Sequence, residues 1–167
     1  MKAQIYKAVL LAACLAFLPA QEVTATERNI ISQDDPVPYE VRIACEVWGQ
    51  YYNICPELLE AIAYHESRFT ADAKNGTCTG LMQINTSVHK NRMQALDVKD
   101  LNDVGENVRV AADYLFELFE EYEDVGVVLG LYHGETNAVA NAERGNLSKY
   151  VRKILETSEE LERQHGK

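Results

Sequence analysis

The chain has 167 residues, with 16 Lys and Arg against 26 Asp and Glu, for a formal net charge of −10 at pH 7. That length suits one compact domain and leaves no room for two well-filled cores. A surface this acidic repels nucleic-acid phosphates, so the expected partner is a neutral or mixed-charge polymer, with Lys90 and Arg92 available to line a local basic groove.

Lys2 and Lys7 precede an apolar run from Ala8 to Ala20, broken only by Cys14 and Pro19, and the first acid is Glu22. This is the layout of a secretory signal over residues 1–25, with Val23-Thr24-Ala25 offering small residues for cleavage before Thr26. The run is too short for a permanent membrane span, so membrane contact is expected to be transient, and the product exported: periplasmic, wall-associated or secreted. Leu11-Ala12-Ala13-Cys14 also has the sequence of a lipoprotein box. The segment Leu15-Ala16-Phe17-Leu18 prolongs the apolar run where a lipoprotein would start a polar tether, which ranks an anchor at Cys14 second. Cleavage after Ala25 removes Lys2, Lys7 and Glu22, leaving 14 basic against 25 acidic residues, or −11.

Cys45, Cys55 and Cys78 remain in the mature chain. Export allows two of them to oxidise to a disulfide, with the pairing open and one thiol left over. Their spacings of ten and twenty-three residues provide no close ligand pair for zinc, and no metal or cofactor is expected.

Residues 26–38, with Asp34, Asp35, Pro36 and Pro38, read as a linker to a folded unit over 39–167. Val41, Cys45, Trp48 and Tyr52 follow helical spacing, and Asn53 to Pro56 marks a turn into a second helix that runs to about Ser67. On that helix Leu58, Leu59, Ile62 and Phe69 cluster on one side, Glu57, Glu60 and Ser67 lie mostly away from it, and Glu66 borders it. Residues 69–79 turn polar, with Asn75-Gly76 as a turn signal, and Gly80 to Asn85 is expected to be short and extended or irregular. Val108, Ala111, Ala112, Leu115, Leu118, Phe119 and Tyr122 define an amphipathic helix, and Val125 to Tyr132 is a nearly all-apolar stretch after which Gly134 interrupts. Ser148 to Leu161 supplies the last helix through Tyr150, Val151, Ile154, Leu155 and Leu161. No long strand is visible, so the fold is mainly helical. The acidic run Glu120, Glu121, Glu123, Asp124 reads as a solvated helix end.

Glu66 follows Ile62 by four residues and Leu59 by seven, which points its carboxylate toward the core side of the helix. Partial burial raises a carboxyl pKa, and a carboxyl that stays protonated near neutrality can donate to a glycosidic oxygen and then act as the base. A lone glutamate at a helix end is more often ordinary surface polarity, so neighbouring motifs decide its reading. His65 and His89 read as ordinary histidines, and Asp72, the nearest acid downstream, falls in a polar loop.

His65-Glu66-Ser67-Arg68-Phe69, followed by Gly80-Leu81-Met82-Gln83-Ile84, resembles the catalytic core of the soluble lytic transglycosylase family, a helix ending in Glu-Ser and a Gly-Leu-Met-Gln segment facing it. Asn107, Ala111, Ala112, Tyr114 and Leu115 are similar to that family's Asn-x-x-x-Ala-x-x-Tyr-Leu helix, Tyr132 sits where it has Tyr-Asn-x-Gly, and Tyr150-Val151 matches its closing pair. The resemblance spans roughly residues 39–156. It implies a lysozyme-like, mainly α single domain with a minimal β or irregular segment near the cleft, and cleavage of the MurNAc-GlcNAc β-1,4 bond of peptidoglycan with 1,6-anhydro-MurNAc ends. By the same resemblance Glu66 is the sole catalytic acid and base. Ser67, Met82, Gln83, Tyr132 and His133 belong to the substrate-binding set, with Gln83 and the backbone around Met82 lining the cleft, Tyr132 touching Glu66 or the sugar, and Ser67 orienting backbone. The chain departs from the pattern at Tyr132-His133-Gly134-Glu135, where His133 stands in place of the family's asparagine and Glu135 adds a charge. A muramidase that uses water, and a non-catalytic wall-binding or assembly protein, are the competing readings. Small size without an attached wall-binding module is compatible with gap-making for a secretion or conjugation apparatus.

Overall fold

The computed structural model describes residues 36–167; the expected signal segment, residues 1–25, and Cys14 lie outside the described residues. Seven helices are present among them: α1 (Tyr39–Tyr52), α2 (Pro56–Ser67), α3 (Lys90–Ala95), α4 (Val104–Glu121), α5 (Val125–Tyr132), α6 (Ala138–Glu143) and α7 (Lys149–Gln164). Between α2 and α3 lie three two-residue strands, β1 (Lys74–Asn75), β2 (Cys78–Thr79) and β3 (Ile84–Asn85), in one antiparallel sheet of order β1-β2-β3. Lys74 pairs with Thr79, and Thr79 with Ile84, so the hairpin turns at Asn75-Gly76 as its sequence indicates. The fold is mainly α with a minimal β segment. Val37 is already buried against the core, two residues before the expected start of the folded unit.

Local sequence sets the helix ends. Asn53 closes α1 in the left-handed conformation that asparagine tolerates, and its N–H returns to the Gly49 carbonyl. Pro56 occupies the first turn of α2, where its missing N–H costs nothing. Asp103, Asp124 and Ser148 cap α4, α5 and α7 by accepting bonds from backbone N–H groups of the first turn. At Gly49 an added Cβ would lie 2.7 Å from the Ile54 carbonyl oxygen, so the tight α1–α2 corner requires glycine.

The core joins Leu59 and Ile62 of α2, Leu81 and Met82, Val108, Ala111 and Leu115 of α4, Val128 and Leu129 of α5, and Ile154 of α7. Helix α2 packs against α1 on one side and α7 on the other. That double packing corrects the expected exposure of Glu57 and Glu60, which are each 1% exposed. Glu57 Oε1 lies 2.9 Å from His165 Nδ1 and 2.7 Å from Lys167 Nζ, and its Oε2 accepts from the Cys55 thiol at 3.1 Å. Burial alone would raise the Glu57 carboxyl, but the bonds from Lys167, His165 and Cys55 outweigh it and bring the pKa down to about 2.

The expected disulfide is not formed: Cys45, Cys55 and Cys78 are all free thiols. They sit on three separate elements, Cys45 in the core face of α1, Cys55 at the cap of α2 and Cys78 in β2. Burial pushes the Cys45 thiol well up, and burial with the hydrogen bond to Glu57 brings Cys55 to about 11, so neither holds much of the thiolate that oxidation needs.

Candidate active site

Glu66 is the penultimate residue of α2, and the chain leaves the helix through two consecutive left-handed residues, Arg68 at φ 55° and Phe69 at φ 61°. Such a turn is unfavourable for side chains with a Cβ and reverses the chain within two residues, which leaves the last turn of α2 open to a cleft. Ser67 stabilises this exit. Its hydroxyl donates to the Ala63 carbonyl at 3.2 Å and accepts from the Thr70 N–H at 3.1 Å. Ser67 is not among the residues that line the cleft.

The cleft has a volume of about 320 Å³ and is walled by the Gln83–Asn85 segment, His89, Tyr114 and the Leu131–Gly134 stretch, with Glu66 at its base. The Glu66 side chain is 15% exposed. Burial raises its pKa, opposed by the Tyr150 hydrogen bond and the charge of His133. The Tyr150 hydroxyl donates to Glu66 Oε1 at 2.5 Å, and His133 Nδ1 stands 3.9 Å from the same oxygen. The His133 ring stacks on the Tyr150 ring, centroids 3.7 Å apart and planes 13° from parallel. Burial, then the Glu66 charge, raise the Tyr150 pKa, so the hydroxyl keeps its proton and acts as a donor.

Tyr132, expected to touch Glu66 or the sugar, lines the cleft without a hydrogen bond to Glu66. Its hydroxyl donates to the Met82 carbonyl at 2.8 Å, which ties the end of α5 to the Gly80–Gln83 turn. Tyr150 makes the bond to Glu66 instead, from 84 residues away in sequence. The motif match at Tyr150-Val151 signalled a helix position and nothing about this bond.

Met82 is fully buried, and its backbone carries its part: the N–H donates to Asn107 Oδ1 at 2.8 Å while the carbonyl receives Tyr132. Gln83 lines the cleft in a left-handed backbone conformation, φ 49°, and its amide nitrogen donates to the carbonyls of Gly80 at 2.9 Å and Ala73 at 3.2 Å. Asn107 is 0% exposed and also donates to the carbonyls of Thr79 and Leu101, at 3.1 and 2.8 Å. A Cβ on Gly80, which has φ 83°, would fall 2.0 Å from the Asn107 amide nitrogen, so this bridge needs glycine opposite it. His133 is at the cleft mouth with its side chain 46% exposed. His89, read as ordinary, lines the cleft beside Tyr114, with ring centroids 4.6 Å apart. Arg92 is not part of a basic groove; it contacts Asp113 and Glu117 and lies 5.1 Å from the Tyr114 ring centre. His65 Nε2 lies 2.8 Å from the Thr157 hydroxyl, away from the cleft.

A largely buried carboxyl whose pKa burial raises, held by a neutral hydroxyl donor in a cleft, is suited to donating a proton to an oxygen and recovering one. Residues 44–154 match the family model described as Transglycosylase SLT domain. The chain belongs to that family. No curated protein matches the chain. Membership brings a transglycosylase-type action on peptidoglycan, and the SLT match spans every element that walls the cleft, from α2 to the first turns of α7.

Proposed function

We propose that the chain is an exported lytic transglycosylase that cleaves the MurNAc-GlcNAc β-1,4 bond, with Glu66 as the single acid and base. The observation that carries this reading is that, among the described residues, Glu66 is the sole carboxylate lining the cleft. Hydrolysis of a glycoside by water ordinarily uses two carboxylates flanking the bond. With one, the economical route is intramolecular: Glu66 protonates the leaving oxygen, then takes the proton of the sugar's 6-hydroxyl as that oxygen closes on C1. The carboxyl ends the cycle protonated, and no water is consumed. Gln83, His133 and the backbone around Met82 bind the glycan. Cleavage of a signal after Ala25 delivers the enzyme outside the cytoplasm.

Digestion of purified glycan strands, with the products weighed, tests the reading. Anhydro products lighter by one water per cut are expected; reducing-end products would assign a muramidase. Glu66→Gln keeps the shape and loses the transferable proton, so it is expected to lower turnover by at least about two orders of magnitude. Turnover within about tenfold of the parent would remove Glu66 from the mechanism.

A further inference from the structure

Glu66 Oε1 is addressed from two elements at once, by the Tyr150 hydroxyl of α7 at 2.5 Å and by His133 Nδ1 at the end of α5 at 3.9 Å. The Tyr150 bond commits Oε1 to accepting, which leaves Oε2 to carry the mobile proton. Tyr150 has no charge to give at neutral pH. His133 can take one, since an imidazole changes charge within the physiological range and an amide in that place never does. Its ring is fixed rather than free, because it lies flat on Tyr150 at 3.7 Å.

We propose that His133 is a positioning residue that sets the upper pH limit of catalysis by competing with Glu66 for one proton. This rests on the reading of Glu66 as the acid. When His133 is charged it favours the Glu66 carboxylate, and the proton then sits on the imidazole, where it is not offered to the glycosidic oxygen. When the ring is replaced by an uncharged amide, the proton has only Glu66 to occupy. The other groups facing the pair are Tyr150 from α7, Tyr132 from α5 and Glu135 from the turn after α5, which acts on the Tyr150 hydroxyl. Burial holds both tyrosines neutral, and Glu135 is a charge that acts on the Tyr150 hydroxyl beside the pair. An opposite charge about 4 Å away shifts a carboxyl by roughly 1–3 pH units, and the partial exposure of His133 places this pair at the low end.

The experiment is a pH titration of the Glu66 carboxyl by carbon NMR in the parent and in His133→Asn, beside the pH dependence of kcat/KM on a soluble glycan. Glu66 is expected to titrate about one unit higher in His133→Asn, and the alkaline limb of kcat/KM to move up with it. The gap between parent and variant should shrink in high salt, because the charge of His133 is partly screened. Glu135→Gln, introduced into both, should leave the gap in place. A Glu66 titration that coincides in parent and variant overturns the proposal, as does a gap that vanishes with Glu135→Gln. A carboxyl that moves as expected in a protein that cuts no glycan supports the coupling and refutes the glycan-cleaving reading, so the two failures are separate.

Discussion

Tyr150→Phe removes one oxygen from the site and nothing else. The lost bond runs at 2.5 Å to the oxygen of Glu66 that does not leave with the proton. While Glu66 holds its proton the bond is an ordinary one. As the proton passes to the leaving oxygen, the carboxylate that forms makes the bond charge-assisted, worth about 1.5–3 kcal/mol. Only the excess over the ordinary bond, about 1–1.5 kcal/mol, is gained in the transition state, so the expected loss is in kcat, by about fivefold to about twelvefold. The sign of the pH effect follows from the same bond. Tyr150 favours the carboxylate, so its removal lets Glu66 keep its proton to higher pH, and the alkaline limb moves upward while the maximum falls. Lower pH therefore does not restore the rate. The phenylalanine ring retains the stack with His133, and melting is expected to change by no more than about 1 kcal/mol. The assay is initial rate on defined glycan strands across pH, with the folded fraction measured on the same samples. A rate per folded molecule within about threefold of the parent, with the alkaline limb unmoved, would refute the assignment of Tyr150 as the residue that holds the proposed catalytic carboxyl.

Tyr132→Phe removes the bond to the Met82 carbonyl, so it is expected to cost about 1–2 kcal/mol in stability and to loosen the Gly80–Gln83 turn; a chemical-denaturation midpoint equal to the parent's would contradict this. Glu57 has its pKa depressed from 4.5 to about 2, so its stabilising share is complete above pH 4.5 and is lost as pH falls toward 2. On the order of 3 kcal/mol should disappear over that window, and Glu57→Gln, already lacking it, should show a flatter acid limb in urea titrations. Thiol titration of the mature protein, unfolded without reductant, is expected to find three reactive groups from Cys45, Cys55 and Cys78. A value of one would restore the disulfide.

The long helices were legible because each repeats its apolar residues at helical spacing. Helices α3 and α6 were not: six residues each, α3 buries no side chain and α6 only Ala138, so neither has a stripe to read. Glu57 and Glu60 were misread for the opposite reason. A wheel assumes one wet face, whereas α2 is covered by α1 and α7 together, and the His165 and Lys167 side chains that meet the buried Glu57 come from the far end of the chain. Glu66 could be found because its position on the border of the apolar face and its flanking motif lie within a few residues of it. Its hydroxyl donor could not, since nothing local distinguishes Tyr132 from Tyr150 as the tyrosine that reaches it. That choice is made by the packing of α7 along α2, which also brings His133 over the ring.

The fit of Gly80 to Asn107 has an evolutionary consequence. The amide bridges three backbone segments, and the space it fills is the space any side chain at position 80 would claim. Drift at either residue alone therefore passes through a protein with a clash or with stranded buried carbonyls. Related sequences are therefore expected to hold both or to have replaced both, even though neither residue lines the cleft. Much of what looks like a signature of the reaction in this stretch records instead how the cleft wall is fastened to α4, and a relative that has lost its glutamate would have the same reason to keep it.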